Sequence, residues 1–332
     1  MKKALVTGIT GQDGCYLAKL LLSKGYRVFG AQRRNTGKRY WRLEELGITD
    51  QIEFVDIDLN EPYNIEKVID TVKPDEFYNL AAQSFVGLSF EQPQVTTITN
   101  SLGVLNILEV LRNKHPNIKF YQASTSEMYG KVTETPQSET TRFYPRSPYG
   151  CAKVYSHYLT INYRESYNLF ACSGILFNHE SPMRGEEFVT RKITKGLVEW
   201  TKTGKLLELG NLESYRDWGH AEDYVEAMWL MLQQDQPEDF VISTGKTIQI
   251  KDFIKKCLDE LNIKYEFKGQ EVFDNKGNYI IKTNPKFLRP AEVDVLIGDS
   301  SKAKEKLLWK QKHTIDTLVK DMIKADLKRY KD

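Results

Sequence analysis

Apolar runs of about four to eight residues alternate with amphipathic segments along the first half of the chain. Strands that alternate with helices predict a Rossmann-type α/β fold with a doubly wound parallel sheet, because parallel neighbours need crossover helices. The predicted strands are residues 4–7, 27–31, 52–55, 76–80, 119–123 and 170–177. The predicted helices of this half are 15–25, 62–72, 95–112 and one that begins at Pro148.

The alternation weakens after Ser181, where helical patterns dominate. Helices are predicted near 188–202, 222–234, 250–261 and 314–329, and a hairpin is predicted to join 265–273 to 279–283 with Gly277 in its turn. We therefore expect a nucleotide-binding domain over 1–180, to which parts of 210–250 return, and a smaller substrate-binding α/β lobe over most of 181–332.

The composition is that of an ordinary globular protein, with 40% hydrophobic and 28% charged residues among 332. Basic residues are spread along the chain and the net charge is +2, so neither nucleic acid nor a membrane surface is indicated as a partner. The four cysteines lie singly, without the spacing of a metal site or a disulfide framework. No signal peptide or long apolar span is apparent, which favours a cytosolic protein.

The first predicted strand runs directly into GITGQDG, in which Gly8, Gly11 and Gly14 are spaced G-x-x-G-x-x-G before a helix. This order is typical of dinucleotide binding, because missing side chains let the backbone approach a pyrophosphate at the positive end of the helix. A merely tight turn is the alternative, and the position between strand and helix favours binding.

The second strand ends in QRRNTGKR. An enzyme that uses NAD usually has an acidic residue here to bind the ribose 2′-hydroxyl, whereas an arginine suits a 2′-phosphate. Arg33 and Arg34 therefore favour NADP, with a solvated basic loop as the alternative.

Small hydroxylated residues, 124–126, and then Glu127 follow the fifth strand. Small residues at the carboxyl end of a strand leave room for a ligand. Tyr149 and Lys153 stand four apart on the next helix and share one face. We expect the ammonium to lower the pKa of the phenol, which would make Tyr149 a usable base.

The Tyr-x-x-x-Lys spacing also occurs at Tyr63 and Lys67, where it lacks both a nucleotide loop and a preceding strand end, so an ordinary surface helix is expected there. Tyr155, Tyr158 and Tyr163 are expected to pack in the core.

Longer stretches carry a family resemblance: GITGQDG, NLAAQSFVGLSFEQP, YQASTSEMYG, FYPRSPYGCAK, NHESP, VTRKIT, YRDWGHAEDYVEAMW and FLRPAEVDVLIGD. Together they make the chain similar to the GDP-mannose 4,6-dehydratases, which are extended short-chain dehydrogenases/reductases of the epimerase/dehydratase superfamily. The resemblance covers nearly the whole chain.

The resemblance implies a hydro-lyase that carries tightly bound NADP and uses Thr125, Glu127, Tyr149 and Lys153. Tyr149 would take the proton of the sugar O4 during oxidation at C4, while Thr125 positions O4 and Lys153 holds the nicotinamide ribose. Glu127 would remove the proton at C5, which a ketone at C4 acidifies, and assist loss of the C6 hydroxyl. A simple dehydrogenase would not need Glu127.

The resemblance also implies contact residues. Those on the NADP side are Gly8, Ile9, Thr10, Gly11, Gln12, Asp13, Arg33, Arg34, Asn35, Thr36, Asp58, Leu59, Leu80, Ala81, Ala82, Gln83, Ser84, Tyr149, Lys153, His179 and Arg184. Those on the GDP-sugar side are Ser84, Thr125, Glu127, Asn178, Val189, Lys192, Arg216, Arg289 and Glu292. Ion pairs of Arg216 with Asp217 or Glu222, and of Arg289 with Glu292, are the alternatives.

The chain departs from the family pattern in three places. The loop after Arg34 is short, which leaves open whether the homo-oligomer is a dimer or a tetramer. Phe85 replaces a frequent histidine and Met183 a frequent arginine, both near the expected rim of the active site. GDP-manno-heptose is therefore an alternative substrate to GDP-mannose, while a C4-epimerase and a non-catalytic nucleotide sensor are the other functions that the fold could serve.

Overall fold

The computed structural model describes residues 1–34, 40–287 and 296–330. Its strands in chain order are β1 (Lys3–Thr7), β2 (Arg27–Gln32), β3 (Ile52–Asp56), β4 (Glu76–Asn79), β5 (Lys119–Thr125), β6 (Ala171–Leu176), β7 (His179–Glu180), β8 (Leu207–Leu209), β9 (Tyr215–Arg216), β10 (Gly219–His220), β11 (Phe240–Ile242), β12 (Ile248–Gln249), β13 (Tyr265–Lys268), β14 (Glu271–Asp274) and β15 (Tyr279–Thr283). Its α-helices are α1 (Gln12–Ser23), α2 (Trp41–Glu45), α3 (Pro62–Val72), α4 (Val86–Glu91), α5 (Pro93–Thr97), α6 (Gly103–Lys114), α7 (Pro148–Tyr167), α8 (Val189–Thr203), α9 (Ala221–Leu232), α10 (Ile250–Glu260), α11 (Ser301–Lys306) and α12 (Ile315–Arg329).

A seven-stranded parallel sheet with the order β11-β6-β5-β4-β1-β2-β3 organises the first lobe. Its central strands β4 and β6 are buried on both faces, and they hold buried polar residues such as Glu76 and Asn79 besides their apolar ones. The predicted Rossmann-type sheet is confirmed. The six predicted strands were too few, because β11 is only three residues long and comes from a distant part of the chain.

Helices cover both faces of this sheet. On one face α1 and α9 pack together, and their buried residues, such as Leu17 and Met228, belong to one core cluster. On the other face α3, α6 and α7 share a second cluster that includes Ile69 and Leu108. The order of strands reverses between β1 and β4, where a doubly wound sheet opens a crevice for ligands.

The second lobe is built on α8, α10 and α12, which pack on a four-stranded sheet of order β13-β14-β15-β8. The predicted hairpin is wrong in one respect, since residues 265–273 form parts of two strands rather than one. Gly269 (φ +63°) makes the extra turn, while Gly277 (φ +84°) lies in the predicted one.

Most predicted helices lie within a few residues of the observed ones. The helix predicted at 95–112 is continuous from α5 through a π-helical turn (Ile98–Leu102) into α6. No helix among the described residues is long and apolar enough to cross a membrane.

The prediction that three tyrosines of α7 pack in the core is wrong for two of them. Tyr163 is buried, but Tyr155 and Tyr158 are 45% and 55% exposed. They lie on the helix face that points away from the sheet, because the inner face of α7 is taken by Tyr149, Lys153 and their neighbours.

Candidate active site

A cleft of about 690 Å³ opens at the carboxyl ends of β1, β4, β5 and β6 and continues between the two lobes. This is the edge of the sheet at which the sequence predicts the chemistry. Seventeen predicted residues line it: Gly8, Gly11, Gln12, Asp13, Leu80, Ala82, Ser84, Thr125, Glu127, Tyr149, Lys153, Asn178, His179, Arg184, Val189, Lys192 and Arg216.

The glycine-rich turn at one end of the cleft has no room for side chains. Gly8 has φ +70°, and a Cβ there would lie 2.9 Å from the backbone nitrogen of Ala81. A Cβ on Gly14 would lie 2.3 Å from the carbonyl oxygen of Gly8. Helix α1 begins directly after Gly11, whose position carries no side-chain cap, so the first backbone N–H groups of α1 suit an anion such as a pyrophosphate.

Side chains that follow this turn hydrogen-bond to residues 179–181, where the chain enters the second lobe. Gln12 Nε2 donates to the carbonyl of His179 at 3.0 Å, and its Oε1 accepts from Ser181 Oγ at 2.7 Å. His179 Nε2 lies 2.9 Å from Asp13 Oδ2, and its Nδ1 lies 2.7 Å from the carbonyl oxygen of Phe177. Both ring nitrogens of His179 therefore face acceptors, which favours the charged imidazolium.

The pKa values of this pair move in opposite directions. Burial lowers the pKa of His179, but the Asp13 carboxylate and hydrogen bonds outweigh it, so the pKa is raised overall. Burial raises the pKa of Asp13, and the charge and hydrogen bond of His179 reverse this, so the pKa is lowered overall. Both pKa shifts therefore favour the ion-paired form of His179 and Asp13.

Arg42 ties the same turn to the second lobe from another side. It donates from Nη1 to the carbonyl of Thr10 at 3.0 Å and from Nε to the carbonyl of Met183 at 2.6 Å. Its guanidinium lies 4.4 Å from the ring centroid of Trp41.

Helix α12 reaches this arrangement through Arg329, which lies 5.1 Å from the centroid of the same Trp41 ring and makes two hydrogen bonds to Glu45. Met183 is buried beside Arg329 rather than on the rim of the cleft, so that part of the prediction is wrong.

The opposite wall of the cleft is the start of α7. Ser147 caps the helix by accepting from the backbone N–H of Gly150 at 3.0 Å, and Pro148 occupies the first turn, as expected. The cap fixes the first turn, so that Tyr149 and Lys153 face the end of β5. Both are almost fully buried, at 8% and 3% exposure.

Hydrogen bonds join α7 to β5. Lys153 Nζ donates to the carbonyl of Ala123 at 2.8 Å, and Ser124 Oγ lies 3.1 Å from Nδ1 of His157. The Thr125 hydroxyl faces the phenol of Tyr149 and acts to lower the phenol's pKa.

Glu127 lines the cleft just beyond Thr125, and its backbone N–H donates to the Thr125 hydroxyl at 3.3 Å. A phenol, a hydroxyl, an ammonium and a carboxylate are thus brought to one place, which suits proton removal from both oxygen and carbon.

The predicted lowering of the Tyr149 pKa is wrong. Burial raises it, the hydrogen bond from Thr125 opposes that rise, and the charge of Glu127 adds to it. The Lys153 ammonium is 5.9 Å from the centroid of the phenol ring and is turned to Ala123. Burial also lowers the pKa of Lys153 to about 8. The spacing of two residues on a helix does not reveal how much water reaches them.

The far end of the cleft carries positive charge. Lys192 Nζ lies 3.4 Å from the ring centroid of Phe287, and burial together with Lys286 lowers the pKa of Lys192. Arg216 lines the cleft and donates to the carbonyl of Tyr215 at 2.7 Å. The carboxylate of Asp217 is engaged by Thr244 and Gly245, which fixes the segment that carries Arg216.

The remaining predicted residues are placed elsewhere. Ile9 and Leu59 are buried in the core, and Asp58 is half-buried with its carboxylate accepting from the backbone of Asn60. Arg33 and Arg34 are exposed at the end of β2. Thr10, Ala81 and Gln83 border the turns but do not line the cleft. Asn35, Thr36, Arg289 and Glu292 lie outside the described residues.

Phe85 lines the cleft, as expected, whereas the sequence does not indicate its aromatic neighbour Phe188. Phe85, in the loop after β4, meets Phe188, just before α8, edge to face at 5.9 Å between ring centroids. The guanidinium of Arg184 lies 3.5 Å from the centroid of Phe188. Nothing in the spacing of Phe188 reveals this contact, because its partner comes from the other lobe. The second Tyr-x-x-x-Lys residue, Tyr63, is 79% exposed on α3, as expected.

A family model described as GDP-mannose 4,6 dehydratase matches residues 5–322 of the chain. The chain is 48% identical to a GDP-mannose 4,6-dehydratase of Vibrio cholerae, over 98% of this chain and 94% of that protein. It is 49% identical to a GDP-mannose 4,6 dehydratase of Drosophila melanogaster, over 98% of this chain and 86% of that protein.

Among solved structures, a UDP-glucose 4-epimerase from Thermotoga maritima with UDP-glucose is similar, with a TM-score of 0.83 at 25% identity over 99% of both chains. The same fold therefore carries dehydratases and epimerases.

Proposed function

This chain belongs to the GDP-mannose 4,6-dehydratase family, and we infer that it converts GDP-mannose to GDP-4-keto-6-deoxy-mannose with loss of one water. The observation that carries this function is the presence of Glu127 in the same cleft as Thr125, Tyr149 and Lys153. A carboxylate beside the phenol is what a C5 deprotonation requires, and a dehydrogenase has no use for it.

We propose NADP as the cofactor. The side-chain-free turn at Gly8 and Gly14 suits a pyrophosphate, and the exposed Arg33 and Arg34 end the strand beside which the adenosine ribose lies in this fold. A guanidinium makes charge-assisted hydrogen bonds to a 2′-phosphate. When bound, the nicotinamide accepts a hydride from C4 of the sugar and returns it to C6, so the reaction involves no net oxidation.

Tyr149 and Thr125 are proposed to handle the O4 proton. The phenol lies buried beside the Thr125 hydroxyl, and this burial raises its pKa. Lys153, with a pKa of about 8, supplies a positive charge near neutral pH on the same helix face, which favours the phenolate. The phenol therefore releases its own proton to solvent first, the phenolate then takes the proton of O4, and Thr125 holds O4 in line with it.

Glu127 is proposed to take the C5 proton once C4 is a ketone, and to pass a proton to the departing C6 hydroxyl. It stands in the 3-10 helical turn Ser126–Met128 that follows β5, two residues past Thr125 at the strand end. Because both residues come from one rigid strand end, their spacing changes little when the second lobe moves.

The GDP group is proposed to lie along Asn178, Val189, Lys192 and Arg216, which line the second-lobe side of the cleft. A lysine and an arginine suit a diphosphate. Arg289 and Glu292 are proposed to complete this side.

The protein is also proposed to work as a homo-oligomer. Tyr155 and Tyr158 on α7 are 45% and 55% exposed, and α7 packs against α5 and the π-helical turn, whose residues Val95 and Leu102 are 51% and 45% exposed. Large exposed apolar patches mark interaction surfaces. Sedimentation of Tyr158→Glu should show a smaller particle than the wild type, whereas Tyr63→Glu should not; an unchanged particle for both would contradict this interface.

The deciding experiment is to incubate the protein with GDP-mannose and, separately, with GDP-manno-heptose, and to analyse the products by mass spectrometry. Loss of one water from GDP-mannose is expected. Dehydration of the heptose alone would overturn the choice of sugar. A C4-inverted product of unchanged mass would indicate an epimerase, and binding without conversion a nucleotide sensor.

A further inference from the structure

The end of β5 extends past its neighbour on one side. The register of β4 with β5 ends at the pair Asn79 and Gln122, while the register of β5 with β6 continues to Thr125 and Leu176. Residues Ala123 to Thr125, which border the cleft, therefore receive backbone support from β6 but lie beyond the end of β4.

Helix α7 supplies further support through three side chains at positions i, i+4 and i+8, which share one face of a helix. Tyr149 faces the hydroxyl of Thr125, which acts to lower the phenol's pKa. Lys153 donates to the carbonyl of Ala123, and the third side chain, His157, hydrogen-bonds the hydroxyl of Ser124. The first two belong to the motif already described. His157 has no role in that motif.

The imidazole of His157 is buried and packs against two aromatic rings. It is 3% exposed and packs edge to face on Phe143 and Tyr158, at ring centroid distances of 5.2 Å and 5.7 Å. Burial lowers its pKa, which keeps the ring neutral. A neutral, fixed imidazole gives Ser124 a hydrogen bond of one geometry.

Ser124 and Thr125 are consecutive residues at the end of β5, and the backbone of Thr125 is extended. Anchoring Ser124 from the α7 side therefore fixes the rotation of the strand end and with it the direction of the Thr125 hydroxyl. Glu127 is affected too, because its backbone N–H donates to that hydroxyl at 3.3 Å.

We propose that His157 is a positioning residue of the dehydration reaction, which acts through Ser124 to hold Thr125 and Glu127 in place. This inference rests on the proposed function for its kinetic test only. A second measurement, the exchange of the Glu127 amide hydrogen, needs no substrate.

The first variant is His157→Phe, which retains an aromatic ring against Phe143 and Tyr158 but removes the hydrogen bond to Ser124. We expect kcat with GDP-mannose to fall about 10-fold, the size expected for one lost hydrogen bond to a buried group, while KM and the amount of bound dinucleotide stay within about twofold. The amide hydrogen of Glu127 should exchange faster than in the wild type. His115, the half-buried C-cap residue of α6 that pairs with Asp70, provides the control: His115→Asn should leave both measurements unchanged.

The rescue variant is His157→Asn, whose amide can reach the position of Nδ1 and should recover most of kcat. Ser124→Ala should reproduce the loss, and Ser124→Ala with His157→Phe should be no worse than the poorer single variant. If His157→Phe does not fold, the kcat values of Ser124→Ala and His157→Asn still test the proposal, because the first variant loses the hydrogen bond and the second retains it.

The proposal is overturned if His157→Phe keeps kcat within twofold of the wild type with unchanged exchange at Glu127, or if His157→Asn is as impaired as His157→Phe. If the wild type does not dehydrate GDP-mannose, the proposed function is wrong and the exchange measurement alone decides the positioning role.

Discussion

His179 Nε2 lies 2.9 Å from Oδ2 of Asp13, so the segment that leads into the second lobe is ion-paired to the glycine-rich turn. The two residues are 11% and 24% exposed and far apart in sequence. The pair joins the predicted dinucleotide site to the lobe that is proposed to hold the sugar nucleotide.

Breaking this pair should destabilise the protein in a pH-dependent way. His179, whose folded pKa is raised from 6.5, contributes fully below about pH 6.5 and loses its contribution as the pH rises through the folded value. Asp13, whose folded pKa is lowered from 3.8, contributes fully above about pH 4 and loses its contribution as the pH falls through the folded value.

The stabilisation should therefore be greatest between about pH 4 and 6.5. In this pH range Asp13→Asn should lower the free energy of unfolding by about 3 kcal/mol. At pH 9 the difference in unfolding free energy between wild type and variant should be smaller. Urea unfolding at both pH values checks this. Glu222→Gln, which breaks the exposed pair with Lys19, should cost less than about 1 kcal/mol. An Asp13→Asn effect that grows with pH would contradict the assignment.

Tyr149→Phe should abolish turnover, by about 10²–10⁴-fold, while the dinucleotide stays bound, because only the proton-transferring oxygen is removed. Steady-state product formation and the absorbance of bound dinucleotide measure the two effects. Tyr63→Phe, at the other Tyr-x-x-x-Lys, should behave as wild type. Normal activity of Tyr149→Phe would remove the phenol from the reaction.

Glu127→Gln should stop the reaction after the oxidation at C4, because an amide cannot take the C5 proton. We expect product formation to fall about 10²–10⁴-fold and reduced nicotinamide to accumulate in the presence of GDP-mannose. Incorporation of solvent deuterium at C5 should be lost as well. Exchange at the wild-type rate would count against Glu127, and the exposed Glu165 of α7 gives a control in Glu165→Gln.

Arg34→Ala should weaken NADP binding by about 10- to 100-fold and NAD binding little, because a charge-assisted hydrogen bond to the 2′-phosphate is lost. Titration of the cofactor-free protein with each dinucleotide gives the two Kd values. Arg27→Ala, on the same strand but paired with Glu53, is the control. Equal weakening of both dinucleotides would refute the preference for NADP.

The fold was predictable wherever the signal is local. Gly8 and Gly14 mark a turn in which the backbone itself must approach its neighbours, and β1 is a short apolar strand that leads directly into that turn. Strand β11 was not predicted because Phe240–Ile242 is only three residues long. Its strand conformation depends on pairing with β6, which is distant in sequence. The exposed Tyr155 and Tyr158 were placed in the core because an aromatic stripe does not show which face of its helix meets the sheet.

The site was predictable as a set of residues but not in its electrostatics. The resemblance indicated Tyr149, Lys153 and Glu127, and the structure brings them to one cleft. The raised pKa of Tyr149 depends on burial by elements from several parts of the chain, which helical spacing does not encode. His157 was missed for a related reason: its partner, Ser124, lies on a strand that precedes α7 by a long loop.

The link from Arg329 through Trp41 to Arg42 joins helix α12 to the carbonyl of Thr10. A substitution in α12 that removes Arg329 would thus weaken the support of the glycine-rich turn near the start of the sequence. Such a variant would be purified without its dinucleotide and would regain normal catalysis when the dinucleotide is supplied in excess. A screen that adds no dinucleotide would mistake it for a catalytically dead protein.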